Sequence, residues 1–255
     1  MVIVYIDLLG TRSKWHENGR AGAEAAFRRL ESVITSAAAR CVPRCVKGGA
    51  LESDSCAVLF DSARSAVTFA RAAFLEAFRA ARTENDERMW LRGCIVPAEN
   101  VTTLRTRRRL SDHLSQVDHF QHDPSLLDAI AVEKSGFKGM RLVIHATLVT
   151  PALCDAFRVE VGRRRLIPFK QLANSIYPGR IAPDYQDFLW MATADPAEWE
   201  KDKVQMASRL RWSSANNEEF IHAAATQVIF HECEAIMRSL LRRTAKRGGG
   251  AGRGD

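Results

Sequence analysis

Between Val2 and Val96 short apolar runs and long amphipathic ones follow one order, and that order constrains the fold more than any other feature of the chain. Val2-Ile3-Val4-Tyr5-Ile6-Asp7 is short, continuous and rich in β-branched residues, the pattern of a buried strand. Residues 21–40 predict a helix with Ala26, Phe27, Leu30, Val33, Ile34 and Ala37 on one face. A strand broken by Pro43 is expected over 42–48, and a better one over 55–60. Asp61-Ser62 can cap the helix that follows. That helix extends to about Arg82 and turns Ala66, Phe69, Ala70, Ala73, Phe74, Ala77 and Phe78 inward. Met89 to Val96 close the series as a strand.

Strand, helix, strand, strand, helix, strand is a split βαβ pattern, which predicts an α+β, ferredoxin-like core with helices packed on an antiparallel sheet. In that topology the first and third strands are antiparallel neighbours, so the end of one lies beside the start of the other. Asp7 ends the first, and Asp54, in Glu52-Ser53-Asp54-Ser55, opens the third. A glycine turn, Leu8-Leu9-Gly10-Thr11, follows Asp7 directly. Two carboxylates at adjoining strand ends beside such a turn point to a divalent metal site facing a phosphate-bearing ligand. Singly, each Asp would be a strand-end or turn residue.

The rest of the chain is less strongly patterned. Thr102 to Asp123 holds Arg105, Arg107, Arg108, Arg109, His113, His119 and His122. No aromatics interleave the arginines, as a single-strand nucleic-acid surface would require, so a solvated loop or dimer arm is expected. The three histidines share no helical face and are read as loop residues. A helix is expected near Ser125–Lys134, a strand at Met140–His145, and turns at Pro168, Pro178 and Pro183. Asn216 with Glu219 fits a capping box. It would open a last helix with an apolar stripe through Phe220, Ile221, Ala224, Ala225, Val228, Ile229, Ile236, Met237, Leu240 and Leu241, read as core or dimer packing. His231-Glu232-Cys233-Glu234 looks like a metal motif, but consecutive helical residues diverge by about 100°, so one ion cannot collect them. The expected organisation is a core over 1–146, a mainly helical C-terminal extension over 147–243 ending in a long helix, and a disordered basic tail over 244–255.

Charge adds little. Of the net +7, more than half comes from Arg242, Arg243, Lys246, Arg247 and Arg253 against Asp255, so it is discounted as a sign of nucleic-acid binding. The six cysteines match no zinc spacing and are read as unpaired thiols. No apolar stretch nears the roughly 20 residues of a membrane helix, and no secretory leader is visible. A cytoplasmic protein with no membrane partner is expected.

At Tyr5-Ile6-Asp7-Leu8-Leu9-Gly10-Thr11, Glu52-Ser53-Asp54-Ser55, Leu91-Arg92-Gly93-Cys94, Ala131-Val132-Glu133-Lys134 and Lys138-Gly139-Met140-Arg141 the chain resembles class III nucleotidyl cyclases, over about residues 2–146. It is most similar there to the bacterial Pycsar anti-phage branch, which makes cyclic UMP or cyclic CMP. The resemblance implies two Mg²⁺ or Mn²⁺ ions held by Asp7, Asp54 and the Leu8 carbonyl, with the N–H groups of Leu9, Gly10 and Thr11 cradling phosphate. It also implies UTP, or second CTP, as substrate, a homodimer with sites at its interface, and a separate effector protein that responds to the product.

The chain departs from the family pattern at three places. A base-reading Lys is replaced by Ala50, which speaks against an ordinary purine cyclase. The family's Asn-x-x-x-Arg pair would align at Ala129 and Glu133, so another cation must stabilise developing charge. Arg92, Lys134, Lys138 and Arg141 are the candidates, Arg141 being the one assigned a catalytic role here. Glu52 is read as an exposed hairpin carboxylate. The same departures motivate the alternative of a catalytically silent, cyclase-like module that binds a nucleotide or a partner.

Overall fold

The computed structural model describes residues 1–40, 46–52, 54–81, 88–98, 105–109, 115–118, 124–135, 138–161, 164–170, 184–193, 195–213 and 217–248. The expectations at Pro43, Ser53, His113, His119, His122, Pro178, Pro183, Asn216 and 249–255 fall outside these residues.

β1 (Val2–Leu8), α1 (Thr11–Ala39), β2 (Val46–Glu52), β3 (Ser55–Phe60), α2 (Ala63–Ala80) and β4 (Leu91–Pro97) follow in the expected order. After them come β5 (Arg105–Arg109), β6 (Ser115–Asp118), α3 (Pro124–Lys134), β7 (Leu142–His145), a 3₁₀ turn (Ala146–Leu148) and α4 (Pro151–Phe157). The chain continues through β8 (Val159–Val161), β9 (Arg164–Leu166), β10 (Phe169–Lys170), β11 (Tyr185–Phe188), α5 (Pro196–Ser213) and α6 (Asn217–Gly248). The main sheet runs β10-β11-β7-β4-β1-β3-β2-β6-β5, with β8 and β9 forming a separate hairpin. Its centre, β4-β1-β3-β2, is the strand order that a split βαβ repeat produces. β10 and β11 extend the same sheet beyond β7.

β1 is antiparallel to both neighbours. Side chains alternate across a strand, so Val2, Val4, Ile6 and Leu8 enter one core layer with α1 and α2. Ile3 and Tyr5 enter a second layer with Ala57, Leu59, Cys94 and Val96, covered by Leu126 and Ala129 of α3. All seven α2 residues expected to face inward are buried, and Val67 joins them. Ser62 caps α2, its Oγ accepting from the Ser65 N–H at 3.2 Å.

Several expectations need correction. Arg105–Arg109, expected in a solvated loop or dimer arm, form β5 against β6. The second strand runs over Val46–Glu52 where 42–48 was expected. The last helix continues to Gly248, into the segment expected as a tail. α1 begins at Thr11, well before residue 21, because Gly10 sets its start. The added segment carries no apolar stripe and is separated by a kink at Gly19, whose φ of 60° and ψ of −157° are non-helical. The stripe on α6 is also rotated from its expected position. Phe220 and Ile221 are exposed, whereas His222, Ala223, Ala225, Thr226, Ile229, Phe230 and Cys233 are buried. The two polar residues face inward because they receive the chain before β7. The Gly139 N–H donates to His222 Nδ1 at 3.4 Å, and the Met140 N–H donates to Thr226 Oγ1 at 2.9 Å.

Arginines tie the C-terminal third to α2. Arg71 donates to the carbonyls of Trp190 and Ala192 at 3.1 and 2.8 Å. Arg79 grips Asp202 with two bonds of 2.7 and 2.6 Å. Arg209, fully buried, donates to the carbonyls of Met89 and Ala77 and lies over the rings of Phe78 and Trp90.

Gly139 is needed for two reasons. Its φ is +77°, and a Cβ there would lie 2.7 Å from the Thr226 nitrogen and 2.9 Å from Ala225 Cβ. Gly10 has φ +79° with open space around it. Gly10→Ala is therefore expected to cost about 1 kcal/mol, the left-handed penalty alone. Gly139→Ala should cost roughly 3 kcal/mol, because overpacking adds to it. Urea denaturation of the two variants checks the order; equal costs would contradict it.

Candidate active site

The site is built where β1 ends. Asp7 pairs with Ser55 on one side and Arg92 on the other. By strand alternation its side chain lies on the α3 face, in line with Ile3 and Tyr5. The turn after it is pinned from both flanks. The Leu8 N–H donates to the Asp54 carbonyl at 2.7 Å, and the Leu9 N–H donates to the Trp90 carbonyl at 2.8 Å. Gly10 then turns left-handed as the residue capping α1, and Thr11 Oγ1 donates back to the Leu8 carbonyl at 2.9 Å.

These bonds bring Asp7 and Asp54 together, as the strand order implies. Burial raises the Asp7 carboxyl from 3.8 to about 6; Arg92 opposes that rise, and the charge of Asp54 adds to it. The Tyr5 phenol is also raised by burial, opposed by its hydrogen bond with Ser55.

Arg92 is the cation that the fold sets against Asp7. Its Nε and Nη2 lie 3.2 and 3.1 Å from Asp7 Oδ2. Nη2 is also paired with Glu133 Oε1. The side chains of Asp7, Arg92 and Glu133 are only 14, 17 and 5% exposed, so the three charges are held largely away from water. Glu133 occupies the buried stripe of α3 with Leu126 and Ala129. A carboxylate at a core position is costly unless paired, and Arg92 supplies the pairing.

The other candidate cations have different surroundings. Arg141 is buried with Asp187 of β11, which takes its Nε and, at 2.9 Å, its Nη2. Lys134 is exposed on the last turn of α3. Lys138 is half-buried and, with Arg92, helps burial depress the His222 imidazole to about 4. The Leu9 N–H is taken up by Trp90, so a phosphate cradle here rests on Gly10 and Thr11. Glu133 stood in the sequence within one segment of the resemblance and as a mismatch to the family's Asn-x-x-x-Arg pair; a lone Glu on a helix gives no sign that it meets a strand residue far away in the chain.

Among the described residues no group of three or more His, Cys, Asp or Glu could hold a metal ion. The Asp7–Asp54 pair fits a hard cation that takes a few carboxylate oxygens and completes its shell with water and substrate phosphate. The Leu8 carbonyl accepts from Thr11 and retains a second lone pair. Among the described residues no helix is long and apolar enough to cross a membrane.

No protein-family model matches the chain. No curated protein matches it. Two solved structures of adenylate cyclases from Trypanosoma brucei in their monomeric state are similar at 13% identity over 73% of this chain. The likeness covers 88 and 86% of those chains, with TM-scores of 0.39 and 0.38. A superposition that loose carries no inference about this protein.

The raised Asp7 carboxyl has a sign that can be measured. A folded-state pKa of about 6 against an ordinary 3.8 means that the folded protein binds the extra proton across that window. Stability from this group is complete below the lower value and is lost as pH rises through the higher one. Asp7→Asn should therefore gain stability relative to the parent protein between pH 4 and 6, by on the order of 2 kcal/mol. Urea midpoints of both proteins across that range test it; a pH-independent difference would contradict the raised value.

Proposed function

We propose that the chain is a nucleotidyl cyclase that converts UTP, or as second choice CTP, into the 3′,5′-cyclic mononucleotide and pyrophosphate. The observation that supports this best is the meeting of Asp7 and Asp54 beside the Gly10 turn at the start of α1. Asp7, Asp54 and the Leu8 carbonyl would hold two Mg²⁺ or Mn²⁺ ions. Bound there, such ions supply a lowered pKa for the ribose 3′-hydroxyl and neutralise the triphosphate.

The chain itself contributes position and charge, as in phosphoryl transfer generally. The N–H groups of Gly10 and Thr11, at the positive end of α1, suit phosphate oxygens. The 3′-oxygen bonds to the α-phosphorus, the bond from that phosphorus to the bridging oxygen breaks, pyrophosphate leaves, and the hydroxyl proton passes to water. Arg92 is the candidate cation nearest this chemistry, on its contact with Asp7. Ala50 in place of a base-reading Lys favours a pyrimidine over a purine. A homodimer, and a phage-defence role through a separate effector that senses the product, complete the proposal on the strength of the sequence resemblance.

A second reading is favoured by Arg92 itself. Its guanidinium already lies on Asp7, as it would in a silent, nucleotide-binding relative. Overnight incubation with each of the four NTPs and Mn²⁺, resolved by mass, separates the two. Cyclic UMP or cyclic CMP, abolished in folded Asp7→Ala and Asp54→Ala proteins, is the expected result. Bound nucleotide with no product would favour the silent module. Full activity in either variant would remove the mechanism.

A further inference from the structure

We propose that His222 and Thr226 of α6 are positioning residues: they hold the segment that carries Lys138, so that its ammonium meets the phosphates of a bound nucleoside triphosphate. This rests on the nucleotidyl cyclase reading and deepens it, because it gives the C-terminal extension a part in the site.

The site lies at one end of the main sheet. β1 reaches that end at Asp7. β4 is antiparallel to β1 and β7 is parallel to β4, so both of these strands start there. Residues 88–90 and 138–141 are therefore the entries to β4 and β7 at the site end, and one face of α6 holds both. Glu219, His222 and Thr226 are spaced at i, i+3 and i+7, which places them on one side of a helix. Arg88 donates two bonds to Glu219 Oε2, at 2.9 and 2.6 Å. His222 Nδ1 accepts from the Gly139 N–H at 3.4 Å, and Thr226 Oγ1 accepts from the Met140 N–H at 2.9 Å. The Thr226 hydroxyl donates in turn to the His222 carbonyl at 2.7 Å, so the two residues are joined. The approach is close: a Cβ on Gly139 would lie 2.7 Å from the Thr226 nitrogen. The strand entries are also tied to each other, the Gly93 N–H donating to the Arg141 carbonyl at 3.0 Å.

Lys138 directly precedes the held residues and is half-buried. Burial, then the charges of Lys138 and Arg92, keep the His222 ring neutral, as accepting at Nδ1 requires. Lys138 and Arg92 thus lie within electrostatic range of one buried imidazole, and Arg92 is itself on Asp7. Cations gathered at a partly buried place attract anions. Phosphate oxygens are the anions that the cyclase reading supplies, and a lysine meets them as a point charge. Without the Thr226 hydroxyl the Met140 N–H would lose its partner, the segment would relax, and Lys138 would move with it. A shift of that kind weakens a site that works by position.

Calorimetric titration of the full chain with 3′-deoxy-UTP, which lacks the attacking hydroxyl, in the presence of Mn²⁺ tests this, with far-UV circular dichroism confirming each fold. Lys138→Met should raise the dissociation constant about tenfold, the loss of one charged hydrogen bond. Thr226→Val and His222→Leu should raise it by a smaller factor. Thr226→Ser and His222→Asn, which keep an acceptor, should bind as the parent does. Added to Lys138→Met, Thr226→Val should weaken binding no further. His222→Leu takes its place in that pair if Thr226→Val does not fold. The same weakening by Thr226→Val with and without Lys138, or parent-like binding in Lys138→Met, would overturn this inference and leave the nucleotide site standing. No binding of the analogue by the parent protein would overturn the cyclase reading and this inference with it.

Discussion

β1 is hydrogen-bonded along both edges, and the site depends on that double pairing. Its register sets Asp7 opposite Ser55 on β3 and opposite Arg92 on β4. The last two N–H groups before the turn are divided between the flanks, Leu8 to Asp54 and Leu9 to Trp90. A slip of one residue would carry every β1 side chain to the opposite face. Asp7 would then enter the layer of Ile6 and Leu8 beneath α1 and α2, on the face opposite Arg92. Both faces of β1 are apolar, so alternation alone would not prevent the slip; the bonds of Leu8 and Leu9 to the two flanks hold the register.

That placement concentrates charge where water is scarce. Asp7 and Glu133 share the Arg92 guanidinium at a site that is mostly buried. Removing such charges from water is expensive, and a shared cation offsets it only in part. The high carboxyl pKa of Asp7 reflects the remainder: burial and the neighbouring Asp54 outweigh Arg92. A site left short of positive charge in this way is suited to attract more of it. The contrast with Arg141 is instructive. Asp187 meets it with two bonds inside the β7–β11 pair, and that pairing ties β11 to the sheet.

Much of the architecture was legible from periodicity because one physical cause dominates there. The β1 and β3 runs are apolar on both faces, and α2 carries a clean stripe, so their positions follow from burial alone. The meeting of Asp7 and Asp54 was legible for a related reason: strand order fixes which ends adjoin. What stayed hidden depends on contacts between distant residues. The first segment of α1 has no apolar stripe and is set by the left-handed Gly10. The rotated stripe of α6 follows from backbone N–H groups of Gly139 and Met140 that require polar partners, so His222 and Thr226 face inward where apolar residues were expected. The choice among Arg92, Lys134, Lys138 and Arg141 was open in the sequence because a cation's role is decided by which carboxylate it meets. Register assigns Arg92 to Asp7, and the neighbouring strand assigns Arg141 to Asp187.

The central claim is that Asp7 and Asp54, meeting beside the Gly10 turn, form a cation site. It is tested most directly by crystals grown with Mn²⁺ and a non-cleavable UTP analogue, measured at the manganese absorption edge. An anomalous peak between the two carboxylates is the expected result. A peak elsewhere, or none there with the analogue bound, would contradict it.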